Sequence, residues 1–497
     1  MKKIKLTKTT TETLPKTFEE WVEIHGEPEY LYEVSPKIKK KLDIYVTDCE
    51  EEHIEVDTEG IFSKNKKGNR VINYKKFIDA FIQINQCVYC NGTFYTPEGA
   101  VSNQSIRKDI AYSLADMGWV SKLDTPTNSI FTSLKDMCPV DELEVDASVI
   151  PLANGDLHIG GSTWEFRLGE KKPTPYRLSV NYTPKTEPTP LFDKWLKDVF
   201  AAEDIPVIQE IFGYCLVPTT AAQEAFFLVG DAGVGKSGMG AILRSLMGGA
   251  FIPITTQDLL SNRFGMSSVE NKLIAYDDDL GTAALEETGT LKKLITADIP
   301  IPAERKYADS FTFIPYCRII ACANFMLSSL YDDSDGFYRR LHPIVVKDKD
   351  PNRKTINKFY DMIVKEEKEQ ILRWALVGLK RVIKNGWKIS WSDRSREYLG
   401  NFKAQTNPIE EFFNSTMELG EDYDTTFAEI KKTFSTWCKD NGIRDISDRR
   451  LSRWLSDNAE KKKKSIEYTN KIRRGNKYLR GYRGCQIKPE WTGTIPI

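Results

Sequence analysis

The segment that most constrains this chain is a glycine-rich loop that follows an apolar run. The residues Phe226–Val229 lead into Gly230–Ser237, GDAGVGKS, which matches the pattern GxxxxGKS. Such a loop wraps backbone N–H groups around phosphate oxygens, while its lysine reaches the β- and γ-phosphates and its serine binds Mg²⁺. The sequence therefore predicts a strand, a phosphate-binding loop and a helix, with ATP and Mg²⁺ as the expected ligands. The predicted nucleotide contacts are Gly230, Asp231, Ala232, Gly233, Val234, Gly235, Lys236 and Ser237.

A second apolar run, residues 272–276, ends in three carboxylates, Asp277, Asp278 and Asp279. Carboxylates at the end of a strand beside such a loop can hold Mg²⁺ and orient the attacking water. We expect Asp277 to share the metal with Ser237 and Asp278 to act on the water, with Asp279 less involved. A solvated acidic turn is the alternative interpretation.

A third apolar run, Arg318–Ala323, ends in Asn324, and two arginines, Arg339 and Arg340, follow. The amide of Asn324 is suited to sense the γ-phosphate, although asparagine after a strand is also common turn chemistry. An arginine that reaches a neighbouring subunit's nucleotide can raise the rate by about 10³ to 10⁵. A surface ion pair would use the same two arginines.

Composition places the chain among ordinary globular proteins. It has 497 residues, 40% of them hydrophobic and 28% charged, and a net charge of -1. About three domains are expected for this length. The nine cysteines show no framework spacing, and the amino terminus has no apolar run of the kind found in secretory signals. A soluble protein in a reducing, cytoplasmic compartment is the expectation, with no membrane partner.

The pattern of apolar runs and breakers predicts an α/β fold with a parallel sheet. Helical periodicity precedes the glycine loop, at Phe192, Trp195 and Val199, and returns in the segment 371–382. Hairpin turns are expected at Asn91-Gly92 and Asn154-Gly155. The predicted organisation is 1–74, of unknown role; 75–190, mixed α/β; 191–222, helical; 223–348, nucleotide-binding; 349–405, helical; and 406–490, a basic module.

Together these motifs resemble the core of the superfamily 3 helicases, in particular the poxvirus-type and phage/plasmid primase-helicase group. The resemblance implies an AAA+-like ATPase, a hexameric ring, 3′ to 5′ movement on DNA, and Arg340 or Arg339 acting in trans. It also implies that the residues between the second and third motifs form a hairpin in the ring channel, with Arg305 and Lys306 on DNA. Gly238 and Gly240 depart from the family pattern, and we expect them to loosen the helix by about 1 kcal/mol each.

The last 73 residues are strongly basic. From Thr425 to Ile497 there are 18 Lys/Arg and 8 Asp/Glu, a net of +10, so the other 424 residues carry -11. A helix capped at Asp424-Thr425, a basic helix opening at Ser447 and a hairpin turning at Gly475-Asn476 follow the order of a winged helix. The predicted DNA contacts there are Arg449, Arg450, Arg453, Arg473 and Arg474, although a charged solubilising surface would look similar.

The sequence thus predicts an ATP-dependent DNA helicase that unwinds duplex DNA when a phage or mobile element begins replication, with host replication proteins as possible partners. An ATP-switched initiator that melts its origin without translocating is the first alternative, and a small-molecule kinase is the second. Primer synthesis is not expected, because no cluster of carboxylates on strands is evident. The pair Cys87 and Cys90 has metal-ligand spacing but no matching second pair.

Overall fold

A computed structural model describes most of the chain. The described residues are 4–10, 44–48, 50–56, 59–119, 122–141, 143, 145–160, 163–281, 288–306, 310–327, 334–351, 356–406, 408–441, 447–461 and 466–491. The chain divides into two compact units, Met1–Asp332 with Arg339–Arg396, and Asp333–Tyr338 with Glu397–Ile497. The second break falls inside a helix, near the boundary predicted at residue 405. Most of the predicted segment 1–74 and of the basic run Lys461–Lys464 lies outside the described residues.

Strands and helices are interspersed along the chain. The strands are β1 (Ile4–Thr10), β2 (Ile44–Asp48), β3 (Glu50–Val56), β4 (Phe62–Lys64), β5 (Arg70–Ile72), β6 (Val88–Cys90), β7 (Thr93–Thr96), β8 (Gly99–Val101), β9 (Val149–Leu152), β10 (Gly155–Gly160), β11 (Thr163–Leu168), β12 (Ala225–Val229), β13 (Phe251–Pro253), β14 (Ile274–Asp277), β15 (Ile301–Ala303), β16 (Phe311–Phe313), β17 (Arg318–Ala323), β18 (Leu341–Val345), β19 (Met417–Thr426), β20 (Glu467–Arg474) and β21 (Lys477–Ile487). The helices are α1 (Tyr74–Asn85), α2 (Asn103–Asp116), α3 (Asp124–Met137), α4 (Pro190–Val199), α5 (Ile205–Tyr214), α6 (Ser237–Met247), α7 (Thr256–Ser261), α8 (Gly265–Ser268), α9 (Gly289–Thr296), α10 (Asp335–Tyr338), α11 (Phe359–Lys384), α12 (Asp393–Thr406), α13 (Pro408–Thr416), α14 (Phe427–Asp440) and α15 (Asp448–Lys461), with single 3-10 turns at Gly248–Ala250 and Pro489–Trp491.

A five-stranded parallel sheet forms the centre of the first unit, with strand order β13-β14-β17-β12-β18. Every residue of β12 and β17 is buried, as expected for strands covered on both faces. Because all five strands are parallel, their carboxyl ends meet at one edge. The predicted α/β class and the three predicted apolar strands are confirmed.

Helices cover this sheet and share one apolar core with it. Helix α4 buries Phe192, Trp195 and Val199, as the periodicity predicts. The long helix α11 packs on α5, and Glu210 of α5 accepts hydrogen bonds from Ser390 N at 2.7 Å and from Arg381. The segments before and after the sheet are therefore built into one body with it.

Two glycines of α6 allow close packing against aromatic rings. A Cβ on Gly238 would lie 2.4 Å from the ring of Tyr360 and 2.5 Å from Trp195 Nε1, and one on Gly240 would lie 2.4 Å from the ring of Tyr276. Helix α6 runs unbroken from Ser237 to Met247, and the expected loss of helix stability at the two glycines stays a prediction.

The residues before the parallel sheet form two further layers. Strand β2 pairs parallel with β11 in the sheet β2-β11-β10-β9, and the sheet β6-β7-β8 packs against α1, α2 and α3. Both predicted hairpin turns are present, with β6 and β7 flanking Asn91-Gly92 and β10 beginning at Gly155. Ile61 shares the core of α1, so this packing begins before residue 75.

The second unit has the order α13, β19, α14, α15, β20, β21, with β21 central in a three-stranded antiparallel sheet. Helix α14 begins with a capping box of Thr426 and Glu429, two residues later than the predicted cap at Asp424-Thr425. The predicted turn at Gly475-Asn476 joins β20 to β21, with Gly475 at φ 60°.

The eight cysteines within the described residues are buried free thiols, in line with the absence of a disulfide framework. Across the same residues, we find no helix that combines the length and apolarity needed to cross a bilayer. Cys90 donates to Asp141 O at 3.7 Å and Cys138 to Leu134 O at 3.1 Å.

Candidate nucleotide-binding site

The glycine loop lies at the carboxyl edge of the parallel sheet, between β12 and α6. Its glycines supply backbone conformations that side chains disfavour, with φ of 148° at Gly230, 76° at Gly233 and 108° at Gly235. A Cβ on Gly230 would also lie 2.5 Å from Val346 Cγ2. Ser237 is the first residue of α6, and its side chain is exposed. The first residue of α6 is therefore open to solvent, while the N–H groups of Gly238 and Met239 donate to Gly235 O at 3.2 Å and to Lys236 O at 3.0 Å.

Lys236 lies across the loop with its ammonium group among oxygen atoms. Its Nζ donates to Asp231 O at 2.8 Å, to Asn324 Oδ1 at 3.4 Å and to Gly230 O. Desolvation lowers the pKa of Lys236, and the negative charges of Asp231, Asp279 and Asp278 oppose that lowering. The structure thus brings together two predicted residues, Lys236 and Asn324, that are 88 positions apart.

The three aspartates after β14 occupy different environments. Asp277 is 4% exposed, and its carboxylate accepts hydrogen bonds from the backbone N–H of Thr256 at 2.6 Å and of Asp279 at 3.3 Å. Asp278 and Asp279 are exposed, and they are the aspartates of this trio whose charges act on Lys236. The structure therefore gives Asp277 an anchoring position at the start of α7, and the metal-binding role expected for it stays a prediction.

Tyr276 connects Asp278 to the packing between β14 and α6. The hydroxyl of Tyr276 donates to Asp278 Oδ1 at 3.2 Å and lies 3.0 Å from Cys322 Sγ. Burial raises the pKa of Tyr276 and raises that of Cys322 to about 12, so both groups stay protonated at neutral pH. The ring of Tyr276 fills the space beside Gly240 of α6. Tyr276 thereby restricts the orientation of the Asp278 carboxylate.

A cavity of about 510 Å³ opens beside the glycine loop. Its walls come from the loop, from α4 and from the start of α11, and include Gly233, Gly235, Lys194, Lys349 and Tyr360. This volume lies within the range of small-molecule and cofactor sites, about 300 to 1,000 Å³.

Two aromatic side chains form hydrogen bonds to the backbone of the glycine loop. The sequence did not assign either of them to the site. Trp195 Nε1 donates to Gly235 O at 3.1 Å, and the Tyr360 hydroxyl donates to the same oxygen at 3.4 Å. Trp195 belongs to α4 and Tyr360 to α11. The sequence signal for them was Gly238, whose missing side chain leaves room for both rings.

Arg339 and Arg340 lie at the opposite edge of the sheet. Arg340 precedes β18, and its carbonyl accepts from Ala225 N at 2.8 Å, at the amino end of β12. The five residues of β12 separate this edge from the glycine loop by roughly 16 Å at about 3.3 Å per residue. Within one chain, the two arginines are therefore placed away from the loop.

The predicted channel hairpin is present as β15 and β16, although residues 307–309 at its tip lie outside the described part of the chain. Arg305 forms an ion pair with Glu270, donates to Asn91 O at 3.1 Å, and stacks 4.2 Å from the centre of the Phe311 ring. Lys306 is exposed and lies 5.9 Å from the ring of Phe264. Arg305, in the segment that follows β15, is thus held by its neighbours, whereas Lys306 faces solvent.

Among the predicted basic residues of the second unit, too, some form ion pairs within the protein and others face solvent. Arg474 binds Asp424 at 2.7 Å and Glu429 at 3.3 Å. Arg449 and Arg473 are exposed, and within the described residues neither forms an ion pair. Arg450 is half-buried, and Arg453 is exposed with contacts of its own.

Comparison with known proteins gives a family match without an assigned role. A family model described as "Family of unknown function (DUF5906)" matches residues 228–340. This interval contains the glycine loop, the three aspartates, Asn324 and both arginines. No curated protein matches the chain.

Solved structures titled as the NrS-1 C terminal region are similar to this chain. "The A form apo structure of NrS-1 C terminal region-CTR(305-718)" has a TM-score of 0.49 at 15% identity, covering 83% of this chain and 98% of that one. "The apo structure of NrS-1 C terminal region (305-718)" has a TM-score of 0.48 at 14% identity, covering 80% and 95%. "The A form apo structure of NrS-1 C terminal region-CTR" has a TM-score of 0.44 at 15% identity, covering 65% and 75%. At these identities, the function has to be inferred from the chain's own residues.

Proposed function

We propose that this protein is an ATP-dependent DNA helicase that acts as a ring, a hexamer by family resemblance, moves 3′ to 5′ and unwinds duplex DNA at the start of phage or mobile-element replication. The observation that carries the proposal is the position of Lys236. It lies on a glycine loop at the carboxyl edge of a parallel sheet, bonded to Asn324 and near Asp278 and Asp279. This edge is where open parallel sheets bind ligands.

The cavity beside Gly235 fits the nucleoside, and the loop fits the phosphates. Bound phosphate oxygens would take over the hydrogen bonds that Lys236 now makes to the carbonyls of Gly230 and Asp231. Asn324, bonded to the same lysine, is placed to contact the terminal phosphate. This exchange supports a phosphate-binding role for Lys236.

The donor set also fits Mg²⁺, which prefers hydroxyl, carboxylate and water oxygens. Ser237 at the start of α6 and Asp278 are the residues suited to hold it, and Asp279 is then available to orient the attacking water. We thus propose Asp278 as the metal ligand in place of Asp277, because the carboxylate of Asp277 already accepts hydrogen bonds from two backbone N–H groups. When bound, the ion would neutralise charge on the transferred phosphoryl group.

The placement of Arg339 and Arg340 supports action between subunits. The length of the sheet separates these arginines from the glycine loop of their own chain. If they act on a phosphate, that phosphate must therefore be bound by the glycine loop of a second copy of the chain. The proposed ring satisfies that requirement. Either arginine remains a candidate for the role.

The second unit supports DNA binding. Its order of helix, strand, two helices and hairpin is that of a winged helix, in which α15 would enter a groove and the hairpin would contact phosphates. Arg449, Arg450 and Arg453 lie on α15. Phosphate contacts of this kind supply sequence-independent, salt-sensitive affinity.

The test is unwinding of a forked duplex with a 3′ tail by the wild type and by Lys236→Ala. We expect strand separation and ATP hydrolysis by the wild type only. Hydrolysis retained by a clean Lys236→Ala preparation would refute the site. ATP hydrolysis by the wild type without strand separation on any tail would refute the helicase assignment and leave an ATPase.

One observation favours a second candidate, an ATP-switched initiator that melts an origin without translocating. Arg305, which would follow DNA in a channel, is already bound to Glu270 and Asn91. The variant Lys306→Ala separates the two functions. A translocase should lose DNA-stimulated hydrolysis, whereas an initiator that binds through its second unit should keep both stimulation and duplex affinity.

A further inference from the structure

The hairpin of β20 and β21 carries a concentrated positive charge. Between Asn470 and Arg480 the sequence contains Lys471, Arg473, Arg474, Lys477 and Arg480 and no carboxylate. Ile472 is the buried residue of this stretch, and the others are exposed. The end of the hairpin therefore exposes most of its side chains to solvent.

Two of these cations fasten the hairpin to the body of its unit. Arg474 binds Asp424 and Glu429, and the guanidinium of Arg480 lies 4.9 Å from the centre of the Phe427 ring. Lys471, Arg473 and Lys477 form no ion pair within the described residues, and Arg473 makes a local hydrogen bond to Gly475 O at 3.3 Å. Three cations thus remain available to an external anion.

Tyr478 stands among these available cations. It is 69% exposed, and its Cα pairs across the hairpin with that of Arg473. No hydrogen bond or ring contact to Tyr478 is found among the described residues. Tyr468, lower on the hairpin, is different, because its ring packs 5.6 Å from that of Tyr482 and its hydroxyl donates to Asn470. Tyr478 thus presents an open aromatic face beside Arg473 and Lys477, a combination suited to a ligand with both flat rings and negative charge.

We propose that Tyr478 stacks on a base at the junction between duplex and single-stranded DNA, while Arg473 and Lys477 contact the adjacent phosphates. Within a continuous duplex, both faces of each base are covered by neighbouring pairs. At a fork, the last pair and the first unpaired base expose a face, on which an aromatic ring can stack without sequence preference. The inference rests on DNA being the substrate, and it assigns the hairpin a preference for forks.

The test measures equilibrium binding of the full chain, without nucleotide, to a forked DNA and to a continuous duplex of equal length. We expect Tyr478→Ala to weaken binding to the fork by roughly 5- to 100-fold, the range for loss of one stacked base, and to leave duplex binding nearly unchanged. Tyr478→Trp should keep the fork preference, and its indole fluorescence should be quenched by the fork only.

Tyr112 provides the matched control, since it is 62% exposed and lies in the other unit. Tyr112→Ala should bind both DNAs as the wild type does. Equal affinity of wild type and Tyr478→Ala for the fork would overturn the inference and leave the proposed DNA function intact. An equal loss on both DNAs would also overturn it, because it would make Tyr478 a general duplex contact. Failure of the wild type to bind either DNA would remove the inference together with the proposed function.

Discussion

The first unit and the hairpin of the second unit differ in how many of their charged side chains have partners. In the first unit, Lys236, Asp277 and Arg305 each contact two or more neighbours, most of them backbone groups. On the hairpin of β20 and β21, Lys471, Arg473 and Lys477 have no charged partner in the described part of the chain. A charged side chain that already has partners either stabilises the local structure or must give up those partners when a ligand binds. We call such a charge held. An open charge, one without a charged partner, can bind a polyanion without first losing an interaction.

The largest difference that this comparison predicts lies between two adjacent carboxylates. Asp278→Ala should lower the turnover number for ATP by about 10²- to 10⁴-fold, the effect of losing a group that acts on the reacting centre. Its free energy of unfolding should fall by at most about 1 kcal/mol, because the side chain is exposed and the Tyr276 hydroxyl that it binds keeps its contact with Cys322 Sγ. Steady-state hydrolysis and urea unfolding, measured on one preparation, check both expectations.

Asp277→Ala is the matched variant for that measurement. It leaves the buried N–H of Thr256 without an acceptor, so we expect a loss of about 1 to 3 kcal/mol in the free energy of unfolding. Turnover at low temperature should fall less than in Asp278→Ala. A stable Asp277→Ala protein with no turnover would return the metal-binding role to Asp277.

The next prediction concerns the aromatic support behind the loop. Gly238→Ala should destabilise the protein by about 1 to 3 kcal/mol, because the new methyl group would overlap the rings of Tyr360 and Trp195. Gly249→Ala is the control, since a Cβ there meets nothing within 4 Å. Urea unfolding of the two variants should separate them. A Gly238→Ala protein as stable as the control would show that the rings move aside easily.

The sequence could predict features that depend on residues close together in the chain, and it could not predict contacts between residues far apart in the chain. The glycine loop, the three strands and Asn324 were predictable, because apolar runs, glycine spacing and strand ends are local features. The choice among Asp277, Asp278 and Asp279 was not, because it depends on which face each side chain takes and on the hydrogen bond from Tyr276. The domain boundaries and the roles of the site residues stay predictions.

The partners of the basic residues could not be predicted for the same reason. Arg305 binds a glutamate 35 residues away, and Arg474 binds an aspartate 50 residues away. In the sequence, both arginines look like their neighbours Lys306 and Arg473, which have no carboxylate partner among the residues that the structure describes. Only the fold separates cations that stabilise the protein from those that remain available.

The smallest predicted effect compares two changes on one hairpin. Each phosphate contact contributes about 0.9 to the slope of log K against log salt concentration, so the double variant Arg473→Gln/Lys477→Gln should reduce the magnitude of that slope by about 1.8. Arg474→Gln removes a cation from the same hairpin, but one already bound to Asp424 and Glu429. It should change the slope little and lower the free energy of unfolding by less than about 1 kcal/mol, as is usual for an exposed ion pair.

Duplex binding at four salt concentrations measures both slopes. Equal slopes for the two variants would mean that Arg474 leaves its carboxylates to contact DNA, and the distinction between held and open charges would then fail for the second unit.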